Sequence, residues 1–260
     1  MLAAEARFDP SFVVSCLDQN WSDQKYDAAT IRVLEQSGIV TEDVKQRLQD
    51  IYAQGNVDEY GISGYVSKLV SDERYEDAAA ILEIWLPSQK IERYTNPKLY
   101  RLNKFSEASP QHVSRVLMPW FAKLITDTDT SDRSLRGHFE RTDALPMGWD
   151  RQRDDDDIFG VLRTALAAWT KADPLEAWKL LEPYANILVD EMQDVIAETL
   201  AAAGPALAQQ SLDFLNADKR RLSIGNASVV LRGGVYSSVP GLVSLELVEA
   251  LTTRHFSHSP

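Results

Sequence analysis

Apolar residues along this chain recur mostly at three- and four-residue intervals, the spacing that gathers them on one side of an α-helix, and short turn signals interrupt the runs. The sharpest example is Ile62, Tyr65, Val66, Leu69 and Val70, followed across Ser71-Asp72 by Tyr75, Ala78, Ala79, Leu82, Trp85 and Leu86 until Pro87. Two such helices joined by a minimal turn form an αα-hairpin. Each exposes a stripe that a neighbouring hairpin must cover, so hairpins of this kind stack into solenoids.

Start and stop signals extend the pattern to most of the chain. Asp9-Pro10, Ser109-Pro110 and Asp173-Pro174 each place a capping side chain before a proline that starts a helix without needing its missing N–H. After the first start, Phe12, Val13, Cys16 and Leu17 are predicted to share a buried face. A second helix, from about Ser22 to Gln36, should stop at Ser37-Gly38. Thr41 caps a third that carries Val44, Leu48, Ile51 and Tyr52, and Gly55 is placed to end it. Val113, Leu117, Phe121 and Leu124 mark a helix that Pro119 should bend.

Further along, Ile158, Val161, Leu162, Ala165 and Trp169 form one stripe, Leu175 and Trp178 belong to a short helix, and Leu188, Met192, Val195, Ile196 and Thr199 mark a longer one ended by Gly204-Pro205. Leu212 and Leu215 suggest one more. In all, about ten or eleven helices are predicted from these signals. The fold class expected is all-α, an irregular α-solenoid of stacked HEAT-like hairpins, because no fixed repeat period identifies a tetratricopeptide or ankyrin array. Residues 227–236, where Val229, Val230 and Leu231 precede Gly233-Gly234, fit a small β-hairpin or an ordered loop equally well.

Residues 127–157 break the helical pattern. This tract is polar, ends in Asp154-Asp155-Asp156-Asp157 and divides an N-terminal helical array, 1–126, from a C-terminal one, 158–260, with which the first could be continuous. The aspartates precede a helix start, where negative charge is favoured, and that suffices as a role for them. Trp149 is the tryptophan that packing on a stripe explains least. It either anchors the tract onto the helices or docks a partner as an exposed aromatic.

Composition and charge then remove several function classes. With 260 residues, 44% of them hydrophobic, the chain can bury a continuous core without staples. Its lone cysteine, Cys16, has no internal disulfide partner and reads as a small buried apolar residue. A net charge of −12 repels phosphate backbones and anionic lipid, which disfavours generic nucleic-acid binding. The compact basic group Lys219-Arg220-Arg221 reads first as a solvated helix end. No segment approaches the roughly 18 apolar residues needed to span a bilayer, and the start of the chain lacks a secretory signal, so the cytoplasm is expected.

The motifs of chemistry are mostly missing. Gly-Lys does not occur, so there is no phosphate-binding P-loop, and no Gly-x-Ser-x-Gly elbow is present. The histidines at 112, 138, 255 and 258 lack the zinc-hydrolase spacing, and His255 with His258 has no carboxylate or thiol partner apparent. Asp127-Thr128-Asp129-Thr130-Ser131 imitates the start of a calcium loop but continues with Asp132 and His138 where glycine and glutamate are required. No catalytic residue, cofactor or metal site is therefore expected.

One stretch carries a resemblance. Asp218, Arg220, Arg221, Leu222 and Gly225, followed by Ser244, Glu246, Leu247, Val248, Glu249 and Ala250, resemble a D-x-R-R-L-x-x-G signature and a later S-x-E-L-[IV]-E-A helix, the latter with an extra residue. Both occur in the helical array of very large bacterial STAND-type ATP-binding proteins of antiphage defence, and the similarity covers mainly residues 213–251. It implies a noncatalytic helical arm that serves as a protein-interaction or sensor module, part or partner of a defence NTPase whose ATPase machinery lies elsewhere. The family pattern would lead into further helices beyond His255, which implies a fragment or a split gene product. A protein partner is expected, with Trp149, Arg220 and Arg221 as candidate contacts. Two other classes stay open: a small enzyme with its site assembled around 127–157, and a structural oligomerisation subunit.

Overall fold

The computed structural model describes residues 9–18, 24–54, 59–88, 102–127, 130–131, 141–142 and 158–223. Helix dominates these residues, as the apolar spacing predicts. Eleven α-helices lie among the described residues: α1 (Pro10–Asp18), α2 (Asp27–Ser37), α3 (Glu42–Ala53), α4 (Glu59–Ser71), α5 (Tyr75–Trp85), α6 (Leu102–Ala108), α7 (Pro110–Asp127), α8 (Ile158–Ala172), α9 (Pro174–Leu181), α10 (Asp190–Ala203) and α11 (Ala208–Ala217). A two-residue antiparallel pairing joins Thr130–Ser131 (β1) to Arg141–Thr142 (β2), with Thr130 opposite Thr142, inside the tract that reads from sequence as a loop. The segment 227–236 and the histidines at 255 and 258 lie outside the described residues.

Local chemistry accounts for several helix ends. Asp9 Oδ1 accepts the Phe12 N–H at 2.9 Å and Asp173 Oδ1 accepts that of Glu176 at 3.3 Å, so both Asp-Pro starts work as side-chain caps. Thr41 Oγ1 accepts the Val44 N–H at 3.2 Å. Gly38, with φ of 65°, closes α2 by donating its N–H to the Leu34 carbonyl at 2.8 Å, a left-handed cap that suits glycine. α2 itself begins at Asp27, later than the spacing suggests, after a 3₁₀ turn at Gln24–Tyr26. α7 runs through Pro119 without interruption.

By compactness the chain forms two units, residues 1–120 with 148–162, and residues 121–147 with 163–260. The division falls within α7 and α8, not at the limits of the polar tract, because compactness follows tertiary packing whereas the sequence boundary follows local periodicity. In the first unit α2 packs on α4 and α3 on α5, while α4 also contacts α5 and α6. Trp85, Tyr65 and Phe105 are its largest fully buried side chains. In the second, α10 packs on α11 and is buried at every position from 191 to 197, polar residues included.

Several stripe residues face outward instead of inward. Phe12 is 51% exposed, whereas Val13 is fully buried and Cys16 half-buried, so the inward direction of α1 centres on Val13. Leu212 is 45% exposed because Ser211, Phe214 and Leu215, at i, i+3 and i+4, form the inner face of α11. Leu175 is exposed on α9, and so is Leu188, which precedes α10. A single leucine can face water at modest cost, so periodicity alone does not choose which of two adjacent residues points inward.

Candidate functional site

The described residues most distinctive in their chemistry are Asp218, Arg220 and Arg221, in and before the 3₁₀ turn Lys219–Ser223 that follows α11. Asp218 has extended backbone and stops the helix. Its carboxylate then accepts from the next residues: Oδ1 takes the Arg220 N–H at 2.9 Å, and Oδ2 takes Arg220 Nη2 at 2.7 Å. These bonds from Arg220 lower the Asp218 pKa from 3.8 to about 2, with burial opposing. Arg220 thus sits at the surface with its charge already engaged.

Arg221 turns the other way. It is 2% exposed, so the reading of this basic cluster as a wholly solvated helix end is corrected. Its guanidinium donates three bonds of 2.7 Å each: Nε to Gln193 Oε1 on α10, Nη1 to the Phe214 carbonyl on α11, and Nη2 to the Ala185 carbonyl in the segment before α10. The Phe214 ring lies 4.2 Å beneath the guanidinium carbon, a cation–π contact. Gln193 completes the network by donating from Nε2 to the carbonyls of Ala185 at 3.1 Å and Ile187 at 2.8 Å. Burial pushes the Arg221 pKa below its ordinary value, and the nearby Asp218 charge opposes that.

Of the candidate contacts, Arg220 keeps part of its side chain at the surface while paired with Asp218, whereas Arg221 is buried with its rigid fork spent on oxygens of its own unit. Trp149 lies outside the described residues. Asp127 is exposed at the end of α7, and the other calcium-loop positions have no described side chain. The participation of Gln193 was not legible in the sequence: it stands among Asp190, Glu191 and Asp194 in the polar first turns of α10, and only the inward packing of that helix makes it an acceptor.

A second polar pairing joins Ser109 to His112. Ser109 Oγ lies 2.6 Å from His112 Nδ1 at the start of α7, and the His112 ring sits 6.4 Å from that of Tyr75. Serine beside histidine is the core of many nucleophilic sites. Here the hydroxyl belongs to a residue 1% exposed, so an electrophile has no approach to it, and the pair serves to order the helix start.

Among the described residues no group of three or more His, Cys, Asp or Glu side chains is arranged to hold a metal ion, and no helix is long and apolar enough to cross a membrane. No family model, curated protein or solved structure matches the chain.

Proposed function

We propose that this chain is a noncatalytic helical-repeat module that recognises another protein, acting as an interaction or sensor arm that is part or partner of a bacterial STAND-type defence NTPase. The observation that carries the reading is the packing order in the first unit, where α2 meets α4, α3 meets α5 and α4 meets α6. In a stack of αα-hairpins the first helices of successive pairs touch, and so do the second helices. Pairs α2/α3 and α4/α5, with α6 beginning a third, follow that rule, which supports an irregular HEAT-like solenoid.

The motif that carries the family resemblance supports the same assignment. Asp218 and Arg220 brace one turn, and Arg221 ties three segments together, so its charged residues serve architecture and leave recognition to the loops and helix faces around it. A cytoplasmic setting follows from this reading.

The test is affinity capture of the tagged full chain from its native host, with and without phage challenge, followed by mass spectrometry and an ATPase assay on the retained material. Recovery of a large NTPase whose hydrolysis depends on the complex is the expected result. A monomer that retains no NTPase in either condition overturns the proposal.

A further inference from the structure

We infer that Arg221 is a latch that couples the segment 185–193 to the turn 218–221, so that the two open and close as one local unit within their half of the chain. This goes beyond the proposed function and does not depend on which partner the chain binds.

The two segments are separated in sequence by the whole of α11 and the Gly204–Leu207 turn, yet one guanidinium bridges them. Nε and Nη2 hold Gln193 Oε1 and the Ala185 carbonyl, and Nη1 holds the Phe214 carbonyl one turn before the end of α11. The acceptors are distributed so that neither segment can move away alone without breaking charge-assisted bonds at a site shielded from water, where replacement by solvent is slow. Ala185 and Ile187 lie outside regular α-helix, and their backbone N–H groups bond only to nearby carbonyls, at Glu182 and Tyr184. Segments with short-range hydrogen bonding belong to the low-stability end of a fold and open locally. A tether of this kind makes such opening a paired event: motion imposed at the end of α11 reaches the entry to α10.

Hydrogen exchange on the full chain tests the coupling, read at the amides of Ala185, Ile187 and Gln193 on one side and Arg220 and Arg221 on the other. In Arg221→Met, exchange should quicken by roughly tenfold or more at both groups together, with amides of α4 in the other unit unchanged. Arg221→Lys keeps the charge, loses the fork and should quicken both groups by a smaller factor, which keeps the test alive if the methionine variant does not fold. Lys219→Ala, on the exposed side of the turn, is the control. Faster exchange confined to 218–221, or spread uniformly through the whole second unit, overturns the latch: the first outcome shows no coupling and the second an ordinary core residue.

Discussion

Asp27, the first residue of α2, and Arg47, in the interior of α3, form an ion pair between their helices, with Arg47 Nη2 2.5 Å from Asp27 Oδ1. Both side chains are less than a tenth exposed. The carboxylate also stands where a helix N-terminus favours negative charge. A buried pair contributes little relative to a well-packed apolar pair, yet removing one member strands the other. Asp27→Ala is expected to lower unfolding stability by about 3–5 kcal/mol, and the double variant Asp27→Leu/Arg47→Met to recover most of that. Urea midpoints of the single and double variants check it, and equal losses in both would refute it.

Gly64, inside α4, lies under the Glu35 side chain of α2, and a Cβ added there would come within 2.9 Å of Glu35 Cγ and closer still to its carboxylate. Alanine is the better helix former by about 1 kcal/mol, so two effects compete at this position. The carboxylate end of a flexible, half-buried side chain can swing aside at small cost, so the helix preference should win and Gly64→Ala should stabilise by up to about 1 kcal/mol. In a Glu35→Ala background nothing has to move, and the same substitution should stabilise slightly more. Thermal or chemical unfolding checks both, and a loss of stability with Glu35 present would refute it.

Tyr65, buried in α4, donates its phenol to the carbonyl of Ile39. Tyr65→Phe leaves that carbonyl without this donor and should cost about 1–3 kcal/mol at neutral pH. Burial raises the Tyr65 pKa above 10.0, with Arg74 opposing. The folded state therefore keeps a proton that the unfolded state releases in alkali, so this contribution is full below pH 10 and declines as pH rises beyond it. Unfolding curves at increasing alkaline pH should show the wild-type advantage over Tyr65→Phe narrowing.

Asp218 has the opposite sign. Its pKa falls from 3.8 to about 2 on folding, chiefly through the bonds from Arg220. Its stabilising contribution is present above pH 3.8 and lost as pH drops towards 2. Partial exposure of both partners keeps the contribution below about 1 kcal/mol. Asp218→Asn should therefore be slightly less stable than wild type near neutrality and converge with it through this acid window, which denaturation midpoints at a series of pH values will show.

Helix identity was legible because it depends on local features. Asp9, Thr41 and Asp173 cap where their spacing to the next apolar run says they should, and Gly38 ends α2 because a left-handed turn needs no neighbour to be favourable. Most of the core was legible too: Val44, Leu48 and Ile51 on α3, and Ala78, Leu82 and Trp85 on α5, are all buried on the stripe that periodicity defines.

Tertiary structure decided the rest. Periodicity identifies a face of α11 but does not distinguish an inward Ser211 from an outward Leu212. Nor does it show that Arg221, last in a basic run, lies buried while its neighbour Arg220 stays near the surface. The candidate site depends on that choice, since Gln193, Ala185 and Phe214 become acceptors only once α10 and α11 are packed together. Helix formation is governed by contacts a few residues apart. The placement of a buried guanidinium is governed by where distant carbonyls converge, and that information exists only after the chain has folded.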